Sequence, residues 1–267
     1  MVILMNNYNE KINQIKWLRA IGIEYYCSET KTPVYKDNMI IDTKQNNVID
    51  SINKVDNATE YVINNTIPGS SSRSLADSAK NLDELKRYVL DFDGCDLKKI
   101  ANNTVFGDGN KDAVIMAIGE APGAEEDAMG IPFCGRSGKL LDKMLNSVGI
   151  SRLNNAYITN TVFWRPPANR QPSNEEVEIC RPFVEKHIAL INPKLIILVG
   201  NIAATSLLGK NLGVTKIRQE YYTYSNKYLT KPIPTTAIFH PAYLLRQPMQ
   251  KKTSWYDLLK IKEFLEL

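Results

Sequence analysis

The sequence predicts a three-layer α/β/α fold around a mostly parallel, four-stranded central sheet, preceded by an N-terminal helical extension. Three observations carry this expectation. Four short apolar runs, Val114–Ile118, Ala156–Val162, Leu195–Val199 and Thr235–Phe239, are rich in β-branched residues and read as strands. Segments with helical spacing separate them. Leu195–Val199 is apolar throughout, as a strand buried on both faces must be. Alternating strands and helices place a parallel-rich sheet between helical layers.

Taken in order, Tyr8–Ile23 reads as an amphipathic helix, with Ile12, Ile15, Leu18 and Ile21 on one side. Residues 1–27 form the N-terminal helical segment. Residues 28–74 are polar, rich in Asn, Lys, Thr and Ser, and read as a flexible linker ending in Pro68-Gly69-Ser70-Ser71-Ser72-Arg73. Residues 75–267 form the globular domain. It opens with a helix over Leu75–Leu90, and the strand Val114–Ile118 follows. The helix Gly138–Val148 turns Leu141, Met144, Leu145 and Val148 inward. A helix over Asn174–Asn192 is announced by Ser173 with Glu176 three residues on, the spacing of a capping box. Further helices are expected over Ile202–Leu208 and Ser254–Leu265.

The 267 residues suffice for one large domain, and a hydrophobic fraction of 43% is ordinary for a globular chain. No apolar run approaches the roughly 18 residues that span a bilayer. The apolar start, Met1–Met5, is too short for a secretory signal. A cytoplasmic location without membrane association is expected. Cys27, Cys95, Cys134 and Cys180 are scattered without a Cys-x-x-Cys pair, which argues against a disulfide framework. The net charge of +4 is compatible with nucleic acid without being diagnostic of it.

The chemistry-bearing residues share one address. Glu120, Phe133, Asn160 and His240 stand at or after strand ends, where open α/β sheets bind ligands. Phe133 lies between a proline and small residues, in a loop suited to stacking a ring on another ring. Asn160 carries a donor and an acceptor side by side, which can read a nucleobase edge or cap a turn. His240, before Pro241, is a ligand-facing group or a core-edge histidine bonded to a carbonyl. His187, in the middle of a helical pattern, reads as structural.

Five motifs in order resemble the family 4 branch of the uracil-DNA glycosylase superfamily. They are Gly119-Glu120-Ala121-Pro122-Gly123 with Glu126-Asp127, Gly130-x-Pro132-Phe133-x-Gly135, Ile158-Thr159-Asn160, Arg165-Pro166-Pro167-x-Asn169-Arg170, and His240-Pro241-Ala242-Tyr243-Leu244-Leu245-Arg246. The resemblance spans about residues 95–267. It implies hydrolysis of the bond between uracil and deoxyribose in single- or double-stranded DNA, by a monomer that flips the base out of the stack. Phe133 would stack on uracil, Asn160 would read its N3–H and O4 edge, and His240 would donate to O2. In the Gly-Gln-Asp-Pro-Tyr-His version of the first motif an Asp positions water. Ala121 holds that place here, so the task falls to Glu120, to Glu126, or to leaving-group stabilisation alone. The Tyr that blocks the thymine methyl in that version is Gly123. Leu244 or Leu245 would wedge into the duplex, with Arg246 on a phosphate or a base and Arg165 and Arg170 on phosphates. A helix start that packs both leucines in the core is the other reading of that segment.

Family 4 members usually carry a four-iron four-sulfur cluster on four cysteines. Here the positions hold Phe92, Cys95, Trp164 and Cys180. Two thiolates cannot hold that cluster, so no cofactor is expected, and Phe92 and Trp164 are expected to fill the space as an apolar plug. Cys95 and Cys180 are expected to be neighbours. The chain looks like a cluster-free, alphaproteobacterial-type subgroup. The loop 168–172 lacks the histidine that a related branch uses to capture DNA covalently. A DNA-binding protein that flips uracil with little turnover is the competing expectation, kept open by Ala121.

Overall fold

A computed structural model of the chain describes residues 69–209 and 213–266, and three isolated helical positions, 15, 16 and 19. Positions 15, 16 and 19 fall within the expected helix at 8–23; the rest of that segment and most of the linker at 28–74 lie outside the described residues.

The sheet has six strands: β1 (Asp108–Gly109), β2 (Ile115–Gly119), β3 (Ala156–Asn160), β4 (Leu195–Val199), β5 (Tyr222–Tyr224) and β6 (Ile233–Ile238), in the spatial order β1-β3-β2-β4-β6-β5. β3, β2, β4 and β6 run parallel and form the predicted four-stranded centre. β1 and β5 add antiparallel edges that the sequence reading did not anticipate.

Side-chain alternation along the central strands builds two cores. Met116, Ile118, Ile196, Leu198 and Ala237 face one side. There they meet α1 (Gly69–Ser78), α2 (Leu82–Asp91), α6 (Asn174–Ile191) and α7 (Asn201–Leu208). Ile115, Ala117, Leu195, Ile197 and Val199 face the other. Their partners include α5 (Arg136–Asn146), α9 (Pro241–Arg246) and α10 (Gln250–Phe264). Short helices α3 (Asp96–Ile100), α4 (Ala124–Met129) and α8 (Val214–Ile217) complete the domain.

The expected helix over Leu75–Leu90 is two helices. Asn81 starts the second, its side chain accepting the Glu84 N–H at 2.8 Å. The first begins at Gly69, inside the stretch read as linker. The capping box is present: Glu176 N–H donates to Ser173 Oγ at 3.2 Å, and Ser173 N–H donates to Glu176 Oε2 at 2.7 Å. His187 is buried, as its pattern predicts. Its Nε2 lies 3.1 Å from the Tyr157 hydroxyl and its ring stacks on Phe106 at 4.3 Å. Burial alone pushes its pKa down to about 3.

Candidate active site

The parallel register pairs Gly119 with Asn160 and Val199 with Ile238. The residues that follow these strands therefore emerge along one edge of the sheet. Strand order reverses at β2, the place where such sheets open a crevice. A cavity of about 710 Å³ lies there, lined among others by Glu120, Ala121, Phe133, Asn160 and His240.

Phe133 sits at φ +52° and is almost wholly buried. Its ring lies so close to β2 that a Cβ on Gly119 would stand 2.5 Å from the ring and 2.5 Å from Asn160 Oδ1. Gly119 is thus where the ring and the amide head meet. The Asn160 side chain is buried, and its Oδ1 has no hydrogen-bond partner. Burying an unpaired acceptor is costly, and a ligand N–H would satisfy it.

His240 is the N-cap of α9, and its Nδ1 accepts the Ala242 N–H at 3.1 Å. Desolvation, with Arg246 adding to it, lowers its pKa to about 4. Near neutral pH the ring is therefore uncharged, and its single proton sits on Nε2. Its close approach to the strand end requires Gly200, at φ +95°, where a Cβ would meet the His240 Cβ at 2.9 Å. The His240 and Phe133 rings are 5.7 Å apart.

The backbone of Glu120 is fixed by the residues just after β3: its carbonyl accepts from Thr161 Oγ1 at 2.6 Å and from the Val162 N–H at 3.2 Å. The carboxyl lines the cavity, and desolvation raises its pKa. Glu126 also lines the cavity but is already committed. Its two oxygens accept the N–H groups of Gly135 at 2.9 Å and Gly123 at 3.2 Å. The space a side chain at Gly123 would take is filled by this carboxylate, 2.8 Å from the Cβ position.

The loop expected to enter DNA divides. Leu244 is fully buried in the core that includes Phe239 and Trp255, the position that the core-packing reading of that segment gives it. Leu245 is only partly buried, and Arg246 is exposed at the cavity rim. Arg170 lines the cavity but is held by Glu176 through two bonds of 2.8 and 2.6 Å. Arg165 lies outside the lining and donates to Asn169 Oδ1 at 2.8 Å.

Of the four positions where the resemblance would put cluster ligands, two hold the Phe92 and Trp164 rings, which stack at 6.2 Å. Phe92 meets Phe183 edge-on at 5.2 Å. Cys95 and Cys180 are fully buried neighbours, and burial pushes the Cys180 thiol up. Cys134 is only partly buried and stands apart from this pair, beside the pocket phenylalanine. Cys27 lies outside the described residues. Among the described residues, no group of three or more His, Cys, Asp or Glu side chains is arranged to hold a metal ion.

Two contributors escaped the sequence reading. Gly119 enters the sequence reading only within the first motif, although its missing side chain admits both pocket groups. Arg152 sits in a polar turn before β3 and carries no motif, yet it binds the Phe133 loop.

The chain resembles known proteins over this region. A model of the uracil DNA glycosylase superfamily matches residues 106–260. The type-4 uracil-DNA glycosylase of Archaeoglobus fulgidus is 39% identical over 186 residues, covering 69% of this chain and 93% of that protein. The type-4 enzyme of Saccharolobus solfataricus is 40% identical over 194 residues, 69% of this chain and 87% of that one. That of Thermotoga maritima is 39% identical over 175 residues, 64% and 88% respectively. With its strand-end pocket and this extent of similarity, the chain belongs to the uracil DNA glycosylase superfamily.

Proposed function

We propose that this protein is a uracil-DNA glycosylase that hydrolyses the N-glycosidic bond of deoxyuridine in DNA and so initiates base excision repair. The observation that carries the reading is the convergence of Phe133, Asn160 and a neutral His240 on one cavity. A flipped uracil would stack on Phe133. Its N3–H would donate to the unpartnered Asn160 Oδ1, and the Asn160 amide N–H would donate to O4. Cytosine presents the reverse pattern and would leave both bonds unmade. His240 Nε2–H would donate to O2, where negative charge collects as the C1′–N1 bond breaks and the electron pair stays with the base. Being neutral, His240 stabilises the uracil anion by hydrogen bonding and does not protonate it.

Water adds to C1′, and its proton passes through solvent to the departed uracil anion, leaving neutral uracil and an abasic site. Glu120 is the group we assign to orient the water, because the carboxylate of Glu126 is occupied by two backbone amides. Leu245 and Arg246 are the assigned DNA contacts at the rim, with Arg165 and Arg170 reaching phosphate only after leaving their present partners. We propose further that the protein works without an iron–sulfur cluster. The donor set does not fit one, since aromatic rings pack at two of the four positions and only two free thiols remain at the others. We take the protein to be a monomer in the cytoplasm, a reducing compartment that suits the free thiols of the described residues.

The test is incubation with a single-uracil oligonucleotide followed by alkali. Strand breakage at uracil, reduced on the order of 100-fold or more in Asn160→Ala and His240→Ala, is expected. A uracil-specific gel shift without breakage would replace the glycosylase with a uracil-DNA binding protein and point to Ala121.

A further inference from the structure

We infer that Arg152 is a positioning residue for the base-stacking ring, acting through the backbone of the Phe133 loop. The inference rests on the proposed uracil-excising function. All five guanidinium N–H groups of Arg152 are used. Nη1 donates to the Pro132 carbonyl at 2.9 Å and to Asp108 Oδ2 at 2.9 Å. Nη2 donates to the Phe133 carbonyl at 2.9 Å and to Asp142 Oδ2 at 3.3 Å. Nε donates to Asp142 Oδ1 at 3.0 Å. Two consecutive carbonyls are thereby gripped by one planar fork. Asp108 of β1 and Asp142 of α5 hold the fork from behind.

The grip has something to hold. Phe133 is at φ +52°, a conformation that a bulky residue rarely adopts and that persists only where its surroundings enforce it. The same carbonyl is backed by Gly138 of α5, where a Cβ would stand 1.7 Å from the Phe133 oxygen. Gly138 thus lets the loop sit against the helix, and Arg152 fixes its carbonyls. A lysine has one charged nitrogen with three donors and cannot span two carbonyls and two carboxylates.

The test is a double-mutant cycle between Arg152→Lys and Phe133→Ala, read as kcat/KM for uracil release. Amide hydrogen exchange of the segment 131–139 is measured in the same proteins. Arg152→Lys is expected to lower kcat/KM by about tenfold or more in the parent, and by less than about twofold once Phe133 is alanine. It is also expected to speed exchange in 131–139 while the central strands stay protected. Equal losses in both backgrounds with unchanged local exchange would overturn the inference and leave Arg152 a general structural residue. If the parent releases no uracil, the functional reading fails and exchange alone decides the clamp. If Arg152→Lys does not fold, Asp142→Asn, which loosens the fork and leaves the guanidinium, is put through the same cycle with a smaller loss expected.

Discussion

Replacing Gly119 by alanine adds one methyl group at the point where the two recognition elements meet. The new Cβ would stand 2.5 Å from Asn160 Oδ1, 2.5 Å from Phe133 Cζ and 2.6 Å from Phe133 Cε2, whereas ordinary contact begins at 3.4 Å. A retreat of roughly 0.9 Å by each neighbour is needed to relieve the overlap. Neither yields cheaply, since Asn160 ends a central strand and Phe133 sits in a loop gripped by Arg152. Overpacking of this kind costs about 1–3 kcal/mol of stability, so the domain remains folded with a melting temperature lower by several degrees. Displacing pocket groups by about 1 Å costs on the order of 100-fold in rate. The assay is kcat/KM for uracil release beside a thermal melt, with Gly123→Ala as the comparator. There the added Cβ meets only the end of the flexible Glu126 side chain, at 2.8 Å, and a milder effect is expected. A folded Gly119→Ala protein that excises uracil within about threefold of the parent would refute the reasoning that the ring and the amide are fixed against β2.

Acid should destabilise the fold. Burial lowers His187 to about 3 and His240 to about 4, so the unfolded chain binds up to two more protons than the native one as pH falls from about 6.5. Asp257, raised by burial to about 6, opposes this with one proton and is restrained by its ion pair with Arg218. Urea titrations should therefore show stability complete above pH 6.5 and lost progressively toward pH 4, and a flat profile would contradict it. Trp164→Cys should lower stability by roughly 3 kcal/mol or more, because it empties a fully buried ring site. The same chemical denaturation reads it, and a neutral result would argue against the aromatic plug. Leu245→Ala should weaken duplex uracil excision with little change in melting temperature, whereas Leu244→Ala should cost about 2–5 kcal/mol of stability. Reversal of that pair would return Leu244 to the wedge. Glu120→Gln should slow single-turnover excision while leaving binding of uracil DNA intact, and an unchanged rate would remove Glu120 from water positioning.

The central strands were legible because strands buried on both faces are continuous apolar runs ending at glycine or a polar residue. Their carboxyl ends, and with them Glu120, Asn160 and His240, could be read off directly. The edge strand Asp108–Gly109 could not, since two residues carry no periodicity. The early helices were misplaced because the serine-rich start of the first looks like linker by composition, while its packing against α6 decides its conformation. The break before Leu82 was overlooked although Asn81 is a conventional cap. Leu244 was ambiguous because a six-residue helix is too short to declare its inner face. The roles of Glu126 and Arg152 depend on backbone groups brought close by the fold, and no local pattern encodes such contacts.

The pairing of Gly119 with Asn160 has a consequence for how activity arises in a newly made chain. These residues lie 41 positions apart and meet only through parallel strand pairing, which closes a long loop before it gains any contact. His240 arrives later still, behind a strand that pairs with β4. The pocket draws its lining from residues 120 to 246, so the full set of groups comes together only when the central sheet is complete. A chain in which β6 has not yet paired with β4 lacks His240 at its strand end, and with it the group assigned to the departing base.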